Sequence, residues 1–289
     1  MIKAKYGILL MIAFIGLGLA LFSAFKDKQR YKTTASSPSL PEQSAENTGP
    51  VKTYCQRQVF ENKSYIVCRA NPAQDDIRLF LYDGRSKPYK YFRAISKELA
   101  RHGKQLAFAM NGGMYHADYS AVGLYVEDGK EYHAVATSDG PGNFHMKPNG
   151  IFYLAKGKAG VMETQAYLAS AIRPAFATQS GPMLVINNRV HPRFIANSPY
   201  LEWRNGVGVT QQGEAFFVIS EQRVNFDELA RFFRDVLQTP NALYLDGSIS
   251  SLYAPEMRRA DWLRALGPII GVTLPKQDMV PMQKTTNVH

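Results

Sequence analysis

Five short polar loops carry most of the residues in this chain that could do chemistry. They are Asn111-Gly112-Gly113, Asp139-Gly140-Pro141-Gly142-Asn143, Gln179-Ser180-Gly181-Pro182, Arg204-Asn205-Gly206 and Asp246-Gly247-Ser248. Each stands beside an apolar, strand-like run. A glycine lets a ligand come close to the backbone, and successive N–H groups can cradle an oxyanion. Any one of these loops reads equally well as a plain turn, since Asp and Asn favour turns. Five in one chain point to strand ends gathered around a shared anion-accepting hollow. His191, next to Pro192, is a further candidate. His116, Ser251 and Glu221, the last ending the run FFVIS, stand near the motifs and are equally compatible with scaffold roles.

The standard cofactor signatures are missing. The chain has no GxxxxGK[ST], no GxGxxG after a strand, no HExxH and no GxSxG. Its six histidines are scattered, without the tight spacing of a zinc site. The motifs therefore require no cofactor, while the carboxylate and carbonyl donors leave room for a hard divalent cation.

Local patterns indicate the elements that must position the loops. The 289 residues are 45% hydrophobic and 20% charged, values of a globular chain rather than a disordered or polytopic membrane protein. Strand-like runs meet at Asp128-Gly129, Lys156-Gly157, Asn187-Asn188 and Gln212-Gly213, pairs suited to hairpin turns. Two helices are expected. Residues 89–102 place Phe92, Ile95 and Leu99 on one face, with Gly103 as a stop. Residues 226–237 follow Asn225 as N-cap with Glu228 at the capping-box position, and Leu229, Phe232, Phe233 and Val236 form the apolar stripe. Each helix leads into an apolar strand ending in a polar glycine loop, first at Asn111 and again at Asp246. This repeat suggests two related halves, or two strand ends opening on one cleft. The expected class is α+β, with a mixed, mainly antiparallel sheet, many hairpins and a few packed helices.

Several runs together resemble the phosphodiester glycosidase family: NGGMY from Asn111, QSGPMLV from Gln179, RNGVGV from Arg204, and the helix NFDELARFFRDVL leading into ALYLDGSISSLY. The likeness spans roughly residues 75–275 and looks closest to the bacterial envelope branch. The animal members' Arg-Thr reads Arg204-Asn205 here, and their Asp-Gly-Gly reads Asp246-Gly247-Ser248. The resemblance implies hydrolysis of a sugar-1-phosphate diester. If the C1–O bond breaks, the leaving group is a phosphate monoester with a second pKa of about 6, so a strong general acid is less needed. What is needed is a cation at the phosphate, a carboxylate at the oxocarbenium-like carbon and an activated water. By resemblance Arg204 suits the first, its planar fork matching phosphate oxygens. Asp246 suits the second or acts as general base. Asn111, with the Gly112 and Gly113 N–H groups, would orient the diester or sugar hydroxyls. Gln179, Ser180 and Gly181 would face them, and Asn205, Gly247 and Ser248 would complete the contact. Asp139 and Asn143 would belong to a lid.

The rest of the chain speaks to location. No charge occurs from Tyr6 to Phe25, a run whose helix would be about 30 Å long and would span a bilayer core. Residues 1–32 thus read as a signal anchor or a cleaved signal peptide, 33–50 as a polar, Pro/Ser-rich linker, 51–275 as the glycosidase-like domain and 276–289 as a disordered tail. With Glu61-Asn62 as a two-residue turn, Cys55 and Cys68 fall opposite each other at a non-hydrogen-bonded position, within reach of a disulfide. A disulfide agrees with export. The expected place is the cell envelope, with the inner membrane and a phosphorylated glycan or sugar phosphodiester as partners. The net charge of +10 fits anionic partners, but no dense Lys/Arg run marks nucleic acid. A non-catalytic binding module for anionic glycan is the alternative function.

Overall fold

The strand content follows from hairpin turns that bring neighbouring runs back on themselves. In the computed structural model, residues 52–247 and 249–276 are described. The chain begins with β1 (Cys55–Phe60), β2 (Lys63–Ala70) and β3 (Asp76–Phe80), then α1 (Phe92–Arg101) and β4 (Lys104–Asn111). A middle block holds β5 (Tyr125–Glu127), β6 (Lys130–His133), β7 (Gly150–Ala155), β8 (Lys158–Glu163), α2 (Thr164–Leu168), β9 (Phe176–Ser180), β10 (Met183–Ile186) and β11 (Arg189–Val190). The last part holds β12 (Asn205–Val209), β13 (Ala215–Ser220), α3 (Phe226–Arg231), β14 (Asn241–Asp246), β15 (Leu252–Ala254), β16 (Arg259–Ala260) and β17 (Ile269–Pro275).

These strands form three sheets, ordered β1-β2-β13-β12-β14-β10-β11, β16-β15-β4-β17-β3 and β6-β5-β9-β7-β8. The expected hairpins are present at their expected turns. Asp128-Gly129, Lys156-Gly157 and Asn187-Asn188 all take positive φ, as type I′ turns require. The β1–β2 hairpin pairs Cys55 with Cys68 and Phe60 with Lys63, and the two cysteines form a disulfide.

The expected parallel component is absent among the described pairings, because a strand is inserted at each helical crossover. β3, α1 and β4 form a β-α-β unit, but β17 lies between its strands and runs antiparallel to both. β13, α3 and β14 form a second unit, split in the same way by β12. The repeated helix-strand-loop pattern is therefore a pair of split β-α-β units.

Both helices are anchored as their sequences require, with two differences. Phe92, Ile95 and Leu99 are buried under α1, which starts at Phe92 rather than at 89 because Lys90 adopts a left-handed φ of 64°. The Asn225–Glu228 capping box opens α3. Beyond Arg231 the helix widens into a π turn over Phe232–Val236, with the Leu237 N–H bonded to the Phe232 carbonyl. The wider turn carries Leu237 onto the buried face in place of Val236, which is 41% exposed. Phe233 lies across β12. A Cβ on Gly206 would sit 3.1 Å from its ring and one on Gly208 2.8 Å from it, so alternate glycines let the helix seat closely on the strand.

The three sheets meet at one aromatic from each. Phe217 of β13 packs against Phe108 of β4 at 5.5 Å, tilted, and edge-on against Phe152 of β7 at 5.8 Å, centroid to centroid. All three are fully buried. Truncating Phe217 to Ala would cost about 3–5 kcal/mol and loosen the junction that brings the strand tips together. Among the described residues, no helix is long and apolar enough to cross a membrane. The expected anchor, linker and C-terminal tail lie outside the described residues, apart from Lys276.

Candidate active site

Sheet order brings three strand ends to one place. β12 starts at Asn205 and runs antiparallel to β14, so Asn205 lies opposite Asp246, the last residue of β14. The register slips between Asn205 and Gly206, the kind of irregularity that re-aims a side chain at a strand end. Asn111 closes β4 of the neighbouring sheet. Its Nδ2 donates to Asn205 Oδ1 at 3.3 Å, while Asn205 Nδ2 donates to the Asn111 carbonyl at 2.9 Å and to its Oδ1 at 3.1 Å. The Ser251 N–H donates to the same Oδ1 at 2.9 Å. Both asparagines are fully buried, so each amide must find partners inside the fold, and they find each other.

Asp246 sits beside this pair, partly buried. Burial pushes its carboxyl up to about 6, against the pull of the Gly247 N–H and the Asn111 amide. The Gly247 N–H lies 2.6 Å from Oδ1. A carboxyl that titrates near neutrality can hold or release a proton during a reaction at physiological pH. Gly247 has a second reason to lack a side chain: a Cβ there would lie 2.4 Å from the Tyr244 hydroxyl.

Arg204, one residue before Asn205, is only 3% exposed. Among the described residues, its side-chain hydrogen bonds all go to uncharged oxygens. Nε donates to the Val224 carbonyl at 2.8 Å, Nη2 to the Tyr200 carbonyl at 3.2 Å and Nη1 to the Tyr244 hydroxyl at 3.3 Å. The guanidinium lies over the Phe226 ring, 3.8 Å from its centroid. Glu202 pairs instead with Arg223, at 3.4 Å. A buried cation without a carboxylate partner is costly unless an anion joins it. Arg204 lines a cleft of about 670 Å³ with Asn143, Phe194, Tyr200 and Phe226 among its walls. Arg204 and Asp246 do not touch as a facing ion pair. Tyr244 feels both charges: its hydroxyl takes the Arg204 bond, and its pKa is raised by burial and by the Asp246 charge, against the pull of Arg204.

Residues 104–273 match the phosphodiester glycosidase family. The chain belongs to that family. It is 36% identical over 183 residues to the uncharacterized protein YigE of Escherichia coli strain K12, covering 63% of this chain and 71% of that protein. The catalytic domain of zebrafish N-acetylglucosamine-1-phosphodiester alpha-N-acetylglucosaminidase, auto-inhibited by its pro-peptide, shares the fold at a TM-score of 0.53. There the identity is 14%, with 76% of this chain and 81% of that one covered.

Within this phosphodiester glycosidase domain, the anticipated residues divide. Asn111, Asn205, Asp246 and Gly247 come together, and Arg204 joins them through Tyr244. Asn143 reaches the cleft wall. His191 is buried behind that wall, stacked on Phe194 at 4.8 Å; its ring faces the Lys147 carbonyl and accepts from the Arg193 N–H.

Other candidates have their polar groups bonded or packed within the fold. Gln179 Oε1 accepts from the N–H groups of Leu124 and Ala136, and its Nε2 donates to the Ala136 carbonyl and Thr164 Oγ1. Ser180 Oγ donates to the Leu245 carbonyl. The Gly112 N–H donates to the Pro268 carbonyl at 2.7 Å rather than pointing at a ligand. A Cβ on Gly113 would meet the Thr178 hydroxyl at 2.8 Å, and one on Gly181 the Asn149 Cβ at 2.6 Å. In these loops glycine serves close packing. Asp139 is exposed and pairs with Lys147 at 2.6 Å. Glu221 is held by Arg57 and Ser64, which with burial working against them leave its carboxyl at about 2, so it is no second acid for this site. Ser248 lies outside the described residues. No group of three or more His, Cys, Asp or Glu side chains among the described residues is placed to hold a metal.

Tyr244 and Phe226 were not anticipated. Tyr244 had a signal, since it precedes Asp246 by two in a strand and so tends to share its face. Phe226 opens a helix and reaches Arg204 only through the packing of α3, which no local pattern reports.

Proposed function

We propose that this chain is an extracytoplasmic hydrolase that cleaves a glycosyl phosphodiester. The observation that carries the reading is a carboxyl poised near neutrality, Asp246, two residues along its strand from a tyrosine that binds a buried, carboxylate-free arginine. Arg204 would bind the phosphate, which is charged in the ground state as well as the transition state. Above about pH 6 the Asp246 carboxylate would take a proton from water as that water adds to the sugar C1. The C1–O bond breaks with its electron pair on the departing phosphate monoester, which needs little protonation. The amide pair of Asn111 and Asn205 would hold Asp246 in place. The Cys55–Cys68 disulfide supports an oxidising compartment, and the apolar run of residues 6–25 supports tethering to, or export across, the inner membrane. A phosphorylated envelope glycan or related diester is the substrate class.

The test is release of reducing sugar from a glycosyl phosphodiester of glycerol, carried out in water enriched in heavy oxygen. The reading expects turnover, with the label on the sugar. Label on the phosphate would overturn the C1–O mechanism. Saturable binding with no turnover by the unmodified protein would favour the other reading, in which the arginine-lined cleft binds anionic glycan without chemistry.

A further inference from the structure

The cleft that holds Arg204 is walled in a way a sugar phosphate does not require. Phe194, Ile195, Pro199, Tyr200, Leu201 and Phe226 are six of its thirteen lining residues, set among Arg193, Arg204 and Arg223. Of these, Ile195 is 70%, Tyr200 79% and Leu201 37% exposed, and the neighbouring Trp203 is 48% exposed. These are four of the ten large hydrophobic side chains that stand exposed among the described residues. Trp262 and Leu263 are two more, at 72% and 79%. They stand on the loop that Tyr115 ties down through the Ala265 carbonyl, and burial together with the Asp246 charge raises the Tyr115 pKa. Exposed apolar side chains scattered singly mean little, whereas a cluster at a cleft marks a binding surface.

Charge fixes which way a ligand would lie. Arg193, Arg204 and Arg223 all reach the cleft against one carboxylate, Glu202. Only Arg204 is buried, and it sits against Phe226. An anionic head is drawn to the arginines while the remainder of the molecule meets aliphatic and aromatic wall. Beyond the charged groups and the Tyr200 hydroxyl, a polyol in that position would find only Asn143 and Ser198 as polar side chains in the lining, and the Ser198 hydroxyl already accepts from the Tyr200 N–H.

Resting on the hydrolase reading of the same site, we infer that the group esterified to the phosphate is an apolar chain: the substrate class is a lipid phosphate carrying a sugar. Arg204 takes the phosphate, the sugar lies toward Asp246, and the chain runs along Phe226, Phe194 and the lip at Ile195 and Tyr200.

Binding and turnover are measured separately so that the two readings fail separately. Calorimetry of the protein with methyl, hexyl and decyl phosphate, each below its micelle concentration, reads the wall without chemistry. Affinity is expected to rise by about fourfold per methylene until the wall is covered, the factor to which a transfer free energy of about 0.8 kcal/mol per CH₂ converts. Tyr200→Ser with Ile195→Ser should pull the decyl-to-methyl ratio down at least tenfold, and Arg204→Ala should abolish binding of all three. Circular dichroism of each variant checks that it folds. Equal affinity for methyl and decyl phosphate, or a chain-length preference untouched by the double variant, overturns the inference. A preference for the decyl ester with no sugar released from decyl glycosyl phosphate would leave the apolar cleft standing and overturn the hydrolase reading instead.

Discussion

The two split β-α-β units reach the site with different side chains. Both run helix, strand and polar tip. The first ends in Asn111, whose amide is bonded by Asn205 and by the Ser251 N–H. The second ends in Asp246, whose one hydrogen bond from a backbone donor among the described residues comes from its own neighbour, Gly247. A neutral amide can be buried once its bonds are made. A carboxylate in the same kind of place cannot be fully compensated, and burial lifts its pKa to about 6. One architecture thus yields a neutral, bonded tip and an ionisable tip, and the difference lies in how completely each group is satisfied.

The largest expected effect separates the tips by rate. Asp246→Asn should lower turnover about a thousandfold, within the range for removing a general base, while leaving substrate affinity within about tenfold. Asn111→Ala should lower it only about tenfold and destabilise the fold by about 2 kcal/mol, by leaving Asn205 short of partners. Steady-state kinetics on both variants would break the distinction if their losses were equal.

Stability should move in opposite directions. The Asp246 pKa is raised from its unfolded value of 3.8 to about 6. Its neutral form is therefore the one the fold favours, and the resulting stability is present below about pH 4 and lost as pH rises through 6. The loss spans roughly two pK units, up to about 3 kcal/mol. Asp246→Asn should be more stable than the unmodified protein at pH 7 by up to that amount and no more stable at pH 3.5. Denaturant melts at the two pH values test the sign.

A smaller effect concerns the pH profile. Activity should rise through about pH 6 as Asp246 ionises. The Asn111 amide favours the ionised form, so Asn111→Ala should move that limb upward, by at most about one unit. A downward shift would remove Asn111 from the carboxylate's environment.

The smallest effect sharpens the contrast with another buried acid. Glu127 is pushed by burial up to about 7, yet it accepts from the Tyr125 hydroxyl at 2.7 Å and the Leu81 N–H at 3.1 Å, on β5 rather than at the strand tips around Asp246. Glu127→Gln should leave turnover within about twofold. A large loss would mean that a raised pKa, and not its place at the strand tips, had been the guide to function.

How much of this was legible in the sequence depended on the range of the contacts. The Cys55–Cys68 register, the Asn225–Glu228 cap and the type I′ turns were readable because each involves residues a few positions apart or follows by counting from a turn. The candidate residues were readable as types: Asn111 and Asp246 end strands, and Arg204 immediately precedes one. The role of the glycines was not: Gly112, Gly181, Gly206 and Gly208 answer to packing partners far away in the chain.

By itself the sequence determined the strands, their hairpins, the disulfide pairing and the identity of the charged groups, since these rest on turn chemistry and local periodicity. Only the tertiary structure decided that Asn111 and Asn205 bond across 94 positions, that Arg204 bonds the Tyr244 hydroxyl, and that the Gln179 and Ser180 side chains are hydrogen-bonded within the fold. Those outcomes follow from the strand order of separate sheets and from burial, which set pKa values and leave Arg204 without a carboxylate. Neither is carried by any short stretch of residues.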